Sequence, residues 1–158
     1  MGRETQSEAG MGNPIKVAIV DSDEEFCRMV CAWLEDTDDI LVMADAPRGL
    51  EVLRWGHEVR PDVVLMDVAA ASTAQVRAAA AHAGVIVLHG VGQEPLVLEA
   101  LRAGALGHLE KPDLRPAQVL AAIRAVSRGQ AVLSPGLAGQ VLDEVVLRLK
   151  RENLKTGD

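Results

Sequence analysis

Five short runs rich in Val, Ile and Leu recur along the chain, and segments with helical periodicity separate them. The runs are IKVAIVD (15–21), DILVMAD (39–45), DVVLMD (62–67), VIVLHG (85–90) and LGHLEK (106–111). Runs of this length and composition are typical of strands buried on both faces of a parallel sheet. The alternation therefore predicts an α/β fold, in which helices cover both faces of a five-stranded parallel sheet.

The segments that follow the strands carry helix signals. They are SDEEFCRMVCAWLED (22–36), PRGLEVLRWGHEV (47–59), STAQVRAAAAHAG (72–84), EPLVLEALRAG (94–104) and RPAQVLAAIRAVSRG (115–129). Ser22 with Glu25, and Ser72 with Gln75, have the spacing of a capping box at a helix start. Glycines close three of the segments and suit helix ends. Five strand-helix units are therefore expected.

A sixth helix is predicted after these units, in LSPGLAGQVLDEVVLRLKRENLK (133–155). Its apolar residues form one stripe at helical spacing, and its basic residues gather toward the carboxyl end. They are Leu137, Val141, Leu142, Val145, Val146 and Leu149. Three interpretations stay open for this helix: it packs back on the domain, it mediates dimerisation, or it begins a linker.

Composition and charge limit the function classes. The formal net charge of −7 argues against nucleic-acid binding through the general field of this segment. No apolar run approaches the roughly 20 residues that a membrane span requires. The first 14 residues lack an apolar signal core, and Cys27 and Cys31 suit two small buried side chains in a reducing compartment. We therefore expect a cytoplasmic protein with a flexible tail (1–14), one domain (15–130) and a linker with the last helix (131–158).

Charged and polar residues stand where the predicted strands end. Asp21 follows the first strand, Asp67 the third, His89 the fourth and Lys111 the fifth. In parallel sheets these ends meet at one crevice, which is where function gathers. Two carboxylates there need positive charge between them, which a lysine and a divalent cation supply. A carboxylate so placed can attack a phosphoryl donor.

The same segments resemble the receiver domains of two-component response regulators, over residues 15 to about 130. VAIVDSD (17–23) is similar to the acidic-pocket strand end of that family, RPDVVLMD (60–67) to its phosphoacceptor segment, and AGALGHLEKP (103–112) to its lysine segment. RGQAVLSPGLAGQVL (128–142) resembles the linker of the LuxR/NarL-type subfamily. The resemblance implies a flavodoxin-like sheet of order 2-1-3-4-5, phosphorelay signalling in transcription regulation, and no enzyme activity of its own.

The resemblance also implies roles for individual residues. Asp67 would be the phosphoacceptor, and Lys111 the family's lysine, joined to Pro112 by a cis peptide bond. The acidic pocket, which holds Mg²⁺ in the family, would be formed by Asp21, Ser22, Asp67 and Ala69. His89 and His108 would occupy the family's two switch positions. A sensor histidine kinase or another signalling protein would be the partner.

Several departures from the family pattern predict an atypical receiver. Ser22 replaces the second pocket acid, so Mg²⁺ binding should be weak. The loop after Asp67 reads VAAAS and is short, and histidines replace the usual switch residues. One more helix follows where the subfamily carries a helix-turn-helix DNA-binding domain, so this segment is expected to act without one.

Two other functions stay open. The first is a pseudo-receiver that binds a protein or ligand without being phosphorylated. The second, less favoured, is a small aspartate-based phosphohydrolase, which would need a second acid where Ala69 stands. A homodimer is expected through the last helix, or through the face of the helices at 94–104 and 115–129, and no membrane partner is expected.

Overall fold

The computed structural model describes residues 12–46 and 60–156. Within them, five parallel strands form one sheet in the order β2-β1-β3-β4-β5, which confirms the predicted topology. The strands are β1 (Ile15–Val20), β2 (Ile40–Ala46), β3 (Val63–Asp67), β4 (Gly84–His89) and β5 (Gly107–Glu110). Each neighbouring pair is parallel.

Five helices lie in the described part of the chain. They are α1 (Glu24–Glu35), α2 (Thr73–Ala80), α3 (Glu94–Arg102), α4 (Pro116–Ser127) and α5 (Pro135–Thr156). The helix predicted at 47–59 falls outside the described residues. None of the helices is both long enough and apolar enough to cross a bilayer.

The sheet separates two hydrophobic clusters, one on each face. Val17 and Ile19 of β1 point to the cluster that α1 and α4 cover, whereas Ala18 and Val20 point to the cluster that α2 and α3 cover. This division follows from the alternation of side chains along a strand. Because both faces are covered, every residue of β3 is buried, which explains its continuous apolar run.

The two predicted capping boxes have different outcomes. The box at the start of α2 is confirmed: the Gln75 N–H donates to Ser72 Oγ at 3.2 Å, and the Ser72 N–H donates to Gln75 Oε1 at 2.7 Å. The box predicted from Ser22 is wrong, because Asp23 is the N-cap of α1 and accepts from the Phe26 N–H at 3.1 Å. Asp21 Oδ1 accepts the Asp23 N–H at 2.9 Å, which fixes the turn that places Asp23 there.

The segment before α5 extends the edge of the sheet beside β5. The Val132 N–H donates to the Leu106 carbonyl at 2.9 Å, and the His108 N–H donates to the Val132 carbonyl at 3.1 Å. Gly107 permits this approach, since a Cβ there would lie 3.1 Å from the Val132 carbonyl oxygen.

Helix α5 then returns along the domain. Leu137 is buried in the cluster that α2 and α3 cover, and Arg102 of α3 pairs with Glu144. The first half of α5 therefore packs on the domain, as one of the three interpretations predicted.

Candidate functional site

Three buried polar or charged side chains occur in the described residues, and all three lie at the carboxyl edge of the sheet. They are Asp21, just after β1, Asp67, the last residue of β3, and His89, the last residue of β4. Burying a carboxylate is costly unless it is paired. This edge therefore needs a compensating positive group.

Lys111 provides that group. Its Nζ lies 2.6 Å from Asp21 Oδ2 and also contacts Asp67 Oδ2, so one ammonium bridges the two carboxylates. The same Nζ lies 4.7 Å from the centre of the Phe26 ring, within range of a cation–π interaction. The predicted salt bridge between Lys111 and Asp67 is confirmed.

The bond between Lys111 and Pro112 differs from the prediction. No cis peptide bond occurs in the described residues, so the predicted cis bond is wrong. The chain turns instead through a hydrogen bond from the Leu114 N–H to the Lys111 carbonyl at 3.2 Å, with Asp113 at a φ of 61°. A proline followed by a residue of positive φ suits a type II turn. This turn directs the chain with the trans isomer, which is the more stable one.

The backbone holds the second oxygen of each carboxylate. The Asp23 N–H donates to Asp21 Oδ1 at 2.9 Å, and the Ala69 N–H donates to Asp67 Oδ1 at 2.6 Å. Ala69 thus takes part in the site through its backbone, while Ser22 is exposed. Each carboxylate keeps one oxygen facing Lys111 and has a fixed orientation.

Burial and charge shift the acid–base properties of this edge. Burial raises the pKa of Asp21, although the Lys111 ammonium and the Asp23 N–H oppose that effect. Burial opposes the charge on Lys111 as well, but Asp21 and Asp67 outweigh it and raise the lysine pKa. The site therefore holds a charged lysine between two carboxylates, and one of them, Asp21, is poorly compensated.

This arrangement offers a cation a limited set of ligands. Asp21 Oδ2 is buried and has no hydrogen bond beyond its ionic contact with Lys111. Within the described ranges, no group of three or more His, Cys, Asp and Glu side chains converges on one point. Two carboxylates at one edge nevertheless suit Mg²⁺, which typically takes one or two carboxylates and keeps several waters.

The family model of the response regulator receiver domain matches residues 17–124, which include all of these side chains. The chain belongs to this family. The match begins at Val17 within β1 and ends at Arg124 within α4, so it includes nearly the whole sheet. It confirms the predicted resemblance to receivers.

Curated relatives of this receiver are bacterial response regulators. The transcriptional regulatory protein LiaR of Bacillus subtilis is 36% identical over 146 residues, which are 88% of this chain and 67% of LiaR. The response regulator UvrY of Escherichia coli is 31% identical over 133 residues, 80% of this chain and 61% of UvrY. The receiver chain thus spans about two thirds of the length of these relatives.

Solved structures agree on the fold. A LuxR-family two-component response regulator from Aurantimonas matches with a TM-score of 0.71 at 24% identity, over 85% of this chain and 99% of that one. The receiver domain of NarL from Mycobacterium tuberculosis matches with a TM-score of 0.69 at 22% identity, over 75% and 99% of the two chains. These matches confirm the predicted receiver fold.

The histidines at the two expected switch positions of the receiver contact each other. His89 Nε2 lies 3.0 Å from His108 Nδ1, and the ring centres are 5.1 Å apart. His108 Nε2 accepts the Ser134 N–H at 2.9 Å, so its Nδ1 carries the proton and donates to His89. His89 Nδ1 then donates to the Gly90 carbonyl at 3.0 Å. Both rings are neutral when all four nitrogens are satisfied in this way.

Sequence reasoning missed two members of this site. The ring of Phe26, the third residue of α1, lies under the Lys111 ammonium. The Ser134 backbone, 26 residues after His108, completes the histidine pair. The position of Phe26 in the first turn of the helix that follows β1 was a usable signal, but no side-chain pattern marks a backbone donor such as Ser134.

Proposed function

We propose that this receiver accepts a phosphoryl group on Asp67 and signals by protein contact, as an atypical member of the family that takes part in transcription regulation. One observation carries the proposal: the Lys111 ammonium bridges Asp67 and Asp21 at the carboxyl edge of the sheet. Positive charge beside an oriented carboxylate is what phosphoryl transfer to an acid requires.

Asp67, Lys111 and Asp21 have different roles in this phosphoryl transfer. The Ala69 N–H holds Asp67 Oδ1, so Oδ2 is the oxygen that attacks the phosphorus of the donor. The new P–O bond forms while the bond from phosphorus to the leaving group breaks, and Asp67 becomes an acyl phosphate. Lys111 then shifts its contact from Asp67 Oδ2 to an oxygen of the phosphoryl group, and Asp21 keeps the ammonium in place.

Asp21 and Asp67 would hold Mg²⁺ in this mechanism. When bound, the cation neutralises charge on the transferring phosphoryl oxygens. The buried Asp21 Oδ2, which has no hydrogen bond beyond its ionic contact with Lys111, supports this assignment. Weak affinity is expected, because Ser22 supplies a neutral side chain where a second acid would strengthen binding.

The partners follow from the family. A sensor histidine kinase or another signalling protein would supply the phosphoryl group, and the transcriptional relatives LiaR and UvrY support a role in regulating transcription. The proposal places the protein in the cytoplasm, with no membrane or nucleic-acid contact through the described segment. A second copy of the chain is a further partner.

A phosphorylation-independent pseudo-receiver is the alternative, and the histidine pair favours it. The family's switch position at the end of β4 holds His89, whose two ring nitrogens are already occupied by His108 and Gly90. Such a ring has no free donor for a phosphoryl oxygen. Aspartate-based hydrolysis has weaker support, since Ala69 provides no second acid.

Incubation with acetyl phosphate and MgCl₂, followed by intact-protein mass spectrometry, tests the proposal. We expect the mass of one phosphoryl group on the native chain and none on Asp67→Asn. Asp113→Asn is the matched control: it removes a carboxylate at the same edge of the sheet, and asparagine tolerates the positive φ at that position.

Three results are distinguishable. Added mass that Asp67→Asn abolishes and Asp113→Asn retains supports the receiver. No added mass on the native chain at saturating donor and Mg²⁺ identifies the pseudo-receiver. Continuous release of inorganic phosphate, without accumulation of modified protein, would indicate the hydrolase.

A further inference from the structure

Helix α5 carries an apolar stripe that its own domain leaves exposed. Leu142, Val146 and Leu149 are 63%, 47% and 53% exposed. Their spacing of four and three residues places them on one face of the helix. Large apolar side chains gathered on one exposed face are typical of an interaction surface.

A different face of α5 already packs on the domain. Leu137 is buried, and Glu144 pairs with Arg102 of α3. Val141 and Val145 line a shallow groove of about 190 Å³ against α3. The exposed stripe is therefore presented outward by a helix whose inner face is anchored, so a partner would meet a positioned surface.

Charges beside the stripe show how a partner helix would be oriented. Asp143 and Lys150 are seven residues apart, so they flank the same edge of the stripe two turns from each other. If two copies pair with their α5 helices antiparallel and Val146 at the centre, Asp143 of each copy meets Lys150 of the other. Leu142 of each copy then meets Leu149 of the other. In a parallel pair, the flank with Asp143 and Lys150 would lie on opposite sides of the two helices, so neither charge would meet its opposite.

From this pattern we propose that the stripe of Leu142, Val146 and Leu149 binds the same stripe of a second copy, with the two α5 helices antiparallel. The occupant follows from the charge pattern, because the antiparallel orientation pairs Asp143 of each copy with Lys150 of the other. The proposal goes beyond the phosphoryl-acceptor function and does not depend on it.

The surface predicts a weak dimer. Each helix offers three apolar side chains, and the pair of helices forms two exposed ion pairs, which is less than a standard stable interface buries. We expect a dissociation constant on the order of 100 µM. Such a dimer would form when the protein is locally concentrated.

Sedimentation equilibrium of the full chain over a concentration series is the test. We expect a monomer–dimer equilibrium that Val146→Glu weakens by at least about tenfold, since the two glutamates would meet at the symmetry axis. Leu147→Glu is the matched control on the same helix: Leu147 is 54% exposed but lies off the stripe, so its substitution should leave the equilibrium unchanged.

Charge reversal tests the orientation. Asp143→Lys and Lys150→Asp should each weaken the dimer several-fold, and the double variant should restore it, because the antiparallel pairs are then exchanged rather than lost. Helix content measured by circular dichroism should be the same in all variants.

Three outcomes would overturn the proposal: a monomer up to millimolar concentration, an equilibrium indifferent to Val146→Glu, or a double variant no better than the single ones. Phosphorylation of the Val146→Glu variant with acetyl phosphate separates this proposal from the function proposed for Asp67. A monomeric variant that still gains the phosphoryl mass shows that the two are independent.

Discussion

His89 Nε2 accepts the Nδ1 proton of His108 at 3.0 Å, and this contact joins the end of β4 to β5. The direction is fixed because the Ser134 N–H occupies Nε2 of His108 at 2.9 Å. Ser134 in turn accepts the first hydrogen bond of α5, from the Ala138 N–H to its carbonyl at 2.8 Å. The carboxyl edge of the sheet and the last helix are therefore linked by one continuous series of hydrogen bonds.

This series of hydrogen bonds predicts that a lower pH decreases the stability of the fold. Burial, and then the neighbouring His89 ring, lower the pKa of His108, although Glu94 of α3 acts in the opposite direction. The unfolded chain, with an ordinary histidine pKa of about 6.5, then binds more protons than the folded one. The free energy of unfolding should therefore fall as the pH drops below about 6.5, by at most about 1.4 kcal/mol per pH unit.

Urea unfolding at intervals between pH 7.5 and 5.5 measures this slope. His108→Gln should flatten it, because the titrating ring is gone. His82→Gln removes an exposed histidine and is the control, which should keep the native slope. A slope unchanged in His108→Gln would contradict the role given to the pair.

Removing the ammonium from the acidic edge should destabilise the protein. Lys111→Met leaves Asp21 and Asp67 facing each other without positive charge, and we expect a loss of about 2 kcal/mol at pH 7. The loss should grow with pH, since two unpaired carboxylates bind protons more tightly in the folded state than in the unfolded one. Millimolar MgCl₂ should recover more stability in this variant than in the native chain, as thermal unfolding can show. Lys16→Met, which removes an exposed lysine of β1, is the control.

Neutralising Asp21 and neutralising Asp39 should change the free energy of unfolding in opposite directions. Burial raises the pKa of Asp21, so its charge opposes folding at pH 7, and Asp21→Asn should increase the free energy of unfolding. Arg124 lowers the pKa of Asp39 through hydrogen bonds of 2.8 and 2.9 Å. Because that pair is largely exposed, Asp39→Asn should cost only about 0.5 kcal/mol.

The pH dependence of Asp39 follows from the direction of its shift. The stability that Asp39 contributes through Arg124 is fully present above the ordinary aspartate pKa. This stability is lost as the pH falls through the lowered pKa of Asp39. Urea unfolding at pH 7 measures how Asp21→Asn and Asp39→Asn each change the free energy of unfolding. Changes of the same sign would contradict the assignment of Asp21 as the acid whose burial is poorly compensated.

Restoring an acid at position 22 should strengthen Mg²⁺ binding. Ser22→Asp adds a third carboxylate next to Asp21, and we expect affinity to rise about tenfold or more, since each added charged ligand favours a hard cation. Isothermal titration calorimetry measures the change. Ser22→Asn has nearly the same shape without the charge, and an equal gain in that variant would show that position 22 does not face the metal.

Part of this protein follows from local sequence. Apolar runs of strand length that alternate with helical segments predict a covered parallel sheet, because both faces of its strands are buried. The carboxyl ends of parallel strands share one edge, so Asp21, Asp67 and Lys111 could be grouped before any coordinates were known. The resemblance to receivers then predicted the strand order.

Other features were decided only when distant segments came together. The trans turn at Pro112 and the Asp23 cap depend on hydrogen bonds that sequence spacing does not specify. The link from His89 through His108 to Ser134 joins residues 19 and 26 positions apart, so it exists only because β4 and β5 are neighbours and the chain returns beside β5. Sequence periodicity gave α5 one apolar stripe, but packing buried Leu137 and left Leu142, Val146 and Leu149 exposed, because helix orientation depends on contacts with the rest of the fold.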